Sequence, residues 1–147
     1  MQAITKAITD ILAESGYRKK GNFWWFEDDV LNKVIHLQKS NYSNKFYLNY
    51  GFVIKALDLG RLISHVYDRF WSKDQNETDR VDQLLDLELW IPEKERLSEL
   101  RQLIKEKLLP QLNSINTEAE LLGYIKRRQT LNDIPLVVKR HFNLPID

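Results

Sequence analysis

Two stretches of alternation, Val30 to Ser40 and Phe46 to Ile54, restrict the possible folds of this chain more than any other feature. Large apolar and polar residues trade places along both, the period of an extended strand with one face against a core. The polar connection between them, Tyr42-Ser43-Asn44-Lys45, is too short for a crossover, so the two strands should form an antiparallel hairpin with a four-residue loop. Pairing Asn41 with Phe46 sets Leu37 opposite Tyr50, Ile35 opposite Phe52, Gln38 opposite Asn49, His36 opposite Gly51 and Ser40 opposite Tyr47. One face is then Ile35, Leu37, Leu48, Tyr50, Phe52 and Ile54. The other gathers His36, Gln38, Ser40, Tyr47 and Asn49, with Lys39 near its rim. A slip by one residue would scramble both sets, so the apolar face is expected to fix this register.

The flanking sequence supplies cover for that hairpin. Ile4, Ile8, Ile11 and Leu12 recur at helical spacing, and Gly16 stands where a helix would end in a left-handed conformation, which predicts a helix from about Ala3 to Ser15. Arg18-Lys19-Lys20-Gly21 reads as a solvated connection, Asn22 to Glu27 as a strand carrying Phe23-Trp24-Trp25-Phe26, and Asp28-Asp29 as the turn into the hairpin. Residues 59–71 fit two readings. Leu59, Leu62, Ile63, Val66 and Phe70 suit a helix, whereas Ile63, His65, Tyr67, Arg69 and Trp71 alternate as in a strand. The abundance of β-branched and aromatic residues favours the strand. Ser72 to Arg80 reads as a polar loop.

Further on, Pro92 precedes Glu93-Lys94-Glu95, and Leu97, Leu100, Ile104 and Leu108 mark an amphipathic helix expected to stop at Pro110. Thr117 and Glu120 form a capping box for a helix over about Glu118 to Arg128, and Asp133-Ile134-Pro135 opens a last short helix through Phe142. The expectation is a single α+β domain over residues 1–147: an antiparallel β-meander of three to five strands packed against an N-terminal helix and C-terminal helices.

At 147 residues the chain can bury roughly 70% of its extended surface without staples. It has no cysteine, hence neither a disulfide framework nor a thiolate metal site, and no apolar run approaches the roughly 20 residues that span a bilayer. Lys6, Asp10 and Glu14 interrupt the N-terminal apolar positions in a way foreign to a secretory signal, so a cytoplasmic location is expected and no membrane. The net charge is +1, with an acidic middle segment between mildly basic ends. The marked basic excess usual in a nucleic-acid binder is missing, which disfavours nucleic acid as partner.

Catalytic signatures are sparse. Of His36, His65 and His141, none has another histidine or a carboxylate at helical metal spacing, and His36 and His65 would meet only across a suitably arranged sheet. Asp79, Asp82 and Asp86 would share one side of a helix, which reads as a solvated face before a cation site. No phosphate-binding glycine loop, nucleophile elbow or paired carboxylates are present, and neither a metal nor a cofactor is expected. Trp24 and Trp25 beside Arg18, Lys19 and Lys20 would suit stacked bases. Alternation instead makes one of the two indoles core and turns the other to the opposite face. Lys126-Arg127-Arg128 closes a helix, where cations meet the negative end of its dipole. What remains is the polar face of the hairpin, His36, Gln38, Lys39, Ser40, Tyr47 and Asn49, whose amides, hydroxyls and imidazole can orient a polar ligand or peptide.

Several of these residues recur in a recognisable series. The run Gly16-Tyr17-Arg18-Lys19-Lys20-Gly21-Asn22-Phe23-Trp24, then Val34-Ile35-His36-Leu37-Gln38-Lys39-Ser40, then Phe46-Tyr47-Leu48-Asn49-Tyr50-Gly51, resembles the family catalogued as domain of unknown function 4304. The resemblance is concentrated in residues 10–55 and becomes diffuse beyond about residue 70, where that family's Trp-rich segment is represented at best by Trp71 or Trp90. It implies a small stand-alone α+β protein of a bacterial cytoplasm, and it supplies no activity or catalytic residue to carry over. Its matches at Lys20, Phe23, Gln38, Lys39, Ser40, Asn49 and Gly51 draw attention to the face already picked out by register. The reading that results is a non-catalytic binding module for a protein partner or small polar ligand, with the oligomeric state undetermined. The alternative is a small hydrolase using His36 or His65 with Ser40 or Tyr47, and a third reading is single-stranded nucleic-acid binding through Trp24 or Trp25.

Overall fold

The N-terminal helix α1, Gln2–Glu14, forms where apolar residues repeat along one side, and Ile4, Ala7, Ile8, Ile11 and Leu12 are buried. It ends at Gly16, whose φ of 88° lets Tyr17 N–H fold back to the Leu12 carbonyl at 3.0 Å. The computed structural model describes residues 2–70 and 74–146. After α1 come β1 (Arg18–Lys20), β2 (Phe23–Phe26), β3 (Leu31–Lys39), β4 (Phe46–Ile54) and β5 (Val66–Arg69). All pair antiparallel in the order β1-β2-β3-β4-β5, a five-stranded meander.

Two expectations about the strands change. Arg18–Lys20, read as a connection, is an edge strand whose three side chains are all exposed. An edge strand needs backbone pairing on one side only, so nothing apolar marks it in the sequence. In the segment 59–71 the strand is confined to Val66–Arg69, with residues 59–63 in turns and bends and Trp71 outside the described residues.

The register of the central hairpin also differs, by two residues. Leu37 faces Leu48, Ile35 faces Tyr50, His36 faces Asn49 and Gln38 faces Tyr47. Ser40 N–H bonds the Lys45 carbonyl at 2.8 Å, so the loop is Asn41 to Asn44. Alternation fixes parity, and an even shift preserves it; both registers leave a four-residue loop. The loop's own bonds select between them. Tyr42 N–H donates to Ser40 Oγ at 3.1 Å, while Leu87 N–H reaches the Asn44 carbonyl at 3.0 Å and Phe46 N–H the Leu85 carbonyl at 2.9 Å.

The helices pack on one face of the sheet. Helix α2, Gln75–Leu84, occupies most of the segment expected as a loop from Ser72 to Arg80, of which residues 72 and 73 lie outside the described residues. Only Val81 and Leu84 within it are buried, too few to print a periodicity, yet Asp74 caps it by accepting Asn76 N–H. Helix α3, Glu93–Leu103, does not stop at Pro110. It passes through a π-helical turn, Ile104–Leu108, into α4, Leu109–Asn113. Leu109 N–H bonds the Ile104 carbonyl five residues back. The wider turn relieves the clash a proline ring makes with the preceding turn, so the chain stays helical. Helix α5, Glu118–Arg127, carries the full Thr117–Glu120 capping box. Helix α6, Leu136–Phe142, ends on Asn143 at φ 58°.

The core lies between these helices and the sheet face bearing Trp24, Ile35, Leu37, Leu48, Tyr50, Phe52 and Ile54, each at most 3% exposed. Trp24 Nε1–H donates to Thr9 Oγ1 of α1 at 3.1 Å. Polar groups on this face are matched to helix partners. Lys33, 2% exposed, donates to the Leu112 carbonyl at 2.6 Å and to Asn116 Oδ1 at 2.8 Å, and burial lowers its pKa against the opposing pull of Asp28 and Glu120. Tyr124 of α5 donates to Asp68 of β5, and Arg128 bridges Asp68 at 2.5 Å and Asp133 at 2.7 Å. Arg96 is turned inward as well, its guanidinium donating to the Gln83, Leu84, Asp86 and Leu89 carbonyls around the end of α2.

Candidate functional site

Pairing across five strands lines up residues that lie far apart in sequence. Lys20 faces Phe23, Phe23 faces His36, His36 faces Asn49 and Asn49 faces Arg69, one continuous row on the sheet face opposite the helices. The neighbouring row is Arg18, Trp25, Val34, Gly51 and Tyr67, and Gln38 with Tyr47 adds a third step. Adjacent strands stand about 4.8 Å apart, so the cationic ends of the first row are roughly 19 Å from one another.

The middle of the site is a hydrogen-bonded chain. Asn49, only 1% exposed, donates both amide hydrogens, to Gln38 Oε1 at 2.8 Å and to Tyr67 Oη at 2.9 Å. Tyr67 lies 2.7 Å from His36 Nδ1. Burial lowers the His36 pKa below 6.5 and raises that of Tyr67, which keeps the imidazole neutral and the phenol protonated at pH 7. The assignment that pairs every group has Tyr67 O–H donating to Nδ1, with the imidazole proton on Nε2. The outward groups are then donors: His36 Nε2–H and the side-chain NH2 of Gln38.

Aromatic rings wall the chain. Phe23 stacks on His36 with centroids 4.1 Å apart and planes 6° from parallel, and Phe23 in turn lies 6.4 Å from Trp25. The Arg69 guanidinium sits 3.9 Å over the Tyr47 ring, with Lys45 Nζ 5.2 Å from the same centroid. At the far end Gly51 allows close cover: a Cβ there would come within 2.3 Å of Ser64 Oγ and 2.5 Å of the Val66 carbonyl. Among the described strand residues the one carboxylate, Asp68, pairs with Tyr50 on the helix-covered face.

Of the residues singled out from the sequence, His36, Gln38 and Asn49 meet in one network, and Tyr47 stands beside them under Arg69. Ser40 lies one step on, its hydroxyl engaged by Tyr42 N–H. Lys39 pairs with Phe46, so its side chain has the parity of the helix-covered face, and at the strand's end its ammonium reaches the Ser43 carbonyl at 3.4 Å. Tyr67 and Arg69 were missed as site members. Their alternation within 59–71 was the available signal, but the neighbour of that strand could not be known without the meander order.

The other candidates disperse. His65 is fully buried, accepting Ile54 N–H at Nδ1 (2.9 Å) and lying 3.1 Å from the Asp58 carbonyl, and His141 lies 2.5 Å from Glu118. Asp79 accepts from Gln75 while Asp86 lies beyond the end of α2 and accepts Glu88 N–H. Among the described residues no group of three or more His, Cys, Asp or Glu is placed to hold a metal ion, and no helix is long and apolar enough to cross a membrane. Trp24 is core and Trp25 shares the open face. Trp90 is 87% exposed.

Fold and site together define a class: an α+β protein whose antiparallel meander is covered by helices on one side and carries a polar, aromatic and cationic surface on the other. The family described as Domain of unknown function (DUF4304) matches residues 8–114, from α1 to the end of α4, and the chain belongs to that family. Helices α5 and α6 lie beyond the matched residues. Comparison with curated proteins and with solved structures gave no match.

Proposed function

We propose that this protein is a non-catalytic binding module, and that its partner, a protein or a small polar ligand, meets the polar face of the central hairpin. One observation carries the reading: the His36–Tyr67–Asn49–Gln38 chain is internally paired yet leaves its free donors pointing away from the core. Such groups are held in place by the sheet before anything binds, which lowers the ordering cost of recognition. A hydrolytic role finds less support. His36 is bonded to a phenol, His65 to backbone and His141 to a carboxylate, while Ser40 serves the hairpin loop. The cysteine-free sequence is compatible with a cytoplasmic setting.

The test is affinity capture from the native host with the wild-type chain and with Gln38→Ala, followed by binding measurements on the purified partner. Gln38 is exposed, so its truncation should leave the fold intact and abolish the interaction. Equal recovery by both proteins overturns the proposal.

A further inference from the structure

Resting on that reading, we infer that the row Lys20–Phe23–His36–Asn49–Arg69 docks an acidic, extended segment of a protein partner laid across the strands. Lys20 and Arg69 close the two ends of the row, Arg18 flanks Lys20, and the five strands place no carboxylate on this face; Asp86, bridged to Lys45, stands beyond the end of β4. Where this chain does set cations against carboxylates, it does so elsewhere: Arg80 with Glu95 and Glu99, Lys107 with Glu77, Lys6 with Asp10, Arg128 with Asp68 and Asp133. No ion pair engages Arg18, Lys20 or Arg69 among the described residues. In a chain of net charge +1, a strand row with cations at both ends and no carboxylate along it is a local arrangement rather than a consequence of composition.

Hydrogen-bond direction on this face points the same way. The central groups left free, His36 Nε2–H and the Gln38 NH2, are donors, so the whole face asks for acceptors. Carboxylates supply charge and acceptor oxygens together, and charge-assisted bonds of this kind are the stronger ones.

Roughly 19 Å between the row's ends corresponds to about six residues of extended chain. The rings favour a peptide over a nucleic-acid strand. Base stacking needs a series of ring faces, and along the row Phe23 and His36 cover one another while Arg69 covers Tyr47, which leaves Trp25, in the neighbouring row, as a single platform.

The experiment titrates the full-length, 15N-labelled protein with hexaglutamate, hexaglutamine and (dT)6, following amide shifts. Hexaglutamate should shift residues of the row, with affinity falling as salt rises. The exposed-residue double variant Lys20→Gln/Arg69→Gln, checked for an unchanged melting temperature, should bind it about tenfold more weakly, equivalent to about 1.4 kcal/mol. Hexaglutamine binding equally well on the same residues would overturn the acidic preference while leaving the face a recognition surface. Tighter binding of (dT)6 at the row would assign nucleic acid in its place. Absent shifts with hexaglutamate, or shifts on another surface, would also overturn the inference. None of these outcomes decides whether Gln38→Ala loses the captured partner, so the broader proposal stands or falls separately.

Discussion

The two faces of one sheet, built from the same strands with the same two-residue period, serve opposite purposes. Towards the helices, Trp24, Ile35, Leu37, Leu48 and Phe52 make a dry wall, and Lys33 and Asp68 among them are closed off by partners from the helical layer. On the other side the rings stand beside one another, the amides form a chain with free donors, and cations sit at the margins. Stability is concentrated where side chains leave water, while a face with no helix over it is free to vary in chemistry. The contrast breaks if the open face proves as costly to truncate as the covered one.

The largest effect is expected at Phe52, fully buried and edge-on to Tyr50. Phe52→Ala should cost about 3–5 kcal/mol in urea denaturation through lost transfer energy and the cavity left behind. A loss under about 1 kcal/mol would mean that this is not the core side.

Next comes the junction between the sheet and the C-terminal helices. Asp68 accepts from Tyr124 and Arg128 and is about one-eighth exposed, its side chain at 12%. Asp68→Ala leaves Arg128 with Asp133 and the Thr130 carbonyl and Tyr124 with Tyr50, and should cost about 3 kcal/mol. Because Asp68 holds Tyr124 of α5 and Arg128 beyond its end and, among the described residues, bonds nothing in α1, hydrogen exchange in residues 118–142 should rise more than in α1. Uniform exchange across both would show that the network does not anchor these helices.

These two predictions also mark how far the sequence could be read. The parity of β3 and β4 was legible because burial on one side imposes it on every second residue. Phe52 therefore falls on the core side in either register, opposite Ile35 in the expected pairing and opposite Lys33 in the structure. Lys33 itself carries no sign of burial in the sequence; its ammonium is satisfied by the end of α4 and by Asn116, contacts eighty residues away in the chain. The same limit hid Arg18–Lys20 as an edge strand and Gln75–Leu84 as a helix with little buried surface. Pro110 misled for another reason, since a proline rule assumes regular α geometry and the π-helical turn departs from it. Half of the polar site could be found from hairpin parity alone. Tyr67 and Arg69 arrive from β5, which only the order of strands brings alongside.

Asn49 sharpens the contrast from the open side. It is as buried as the core residues but belongs to the polar network. Asn49→Ala should cost about 1–3 kcal/mol, because Gln38 and Tyr67 lose a partner, and should also weaken partner binding. Gln38→Ala strands only one Asn49 hydrogen, beside a side chain that is itself exposed, and should cost no more than about 1 kcal/mol while losing the same binding. Equal destabilisation by both would make the face a structural element rather than a recognition surface.

The smallest effects come from a matched pair of hydroxyls. Tyr67, on the open face, accepts from Asn49 and is bonded to His36. Tyr17, packed beside Phe26 on the covered side, has a buried hydroxyl with no hydrogen-bond partner among the described residues, and burial raises its pKa. Removing one oxygen should therefore act in opposite directions. Tyr67→Phe strands the second Asn49 hydrogen and should cost about 1 kcal/mol. Tyr17→Phe relieves a desolvated group that gains nothing in return, and should leave stability unchanged or raise it by up to about 1 kcal/mol. The sign of Tyr17→Phe in thermal denaturation decides the matter: a clear loss of stability would reveal a partner for that hydroxyl and remove the asymmetry between the two faces at this level of detail.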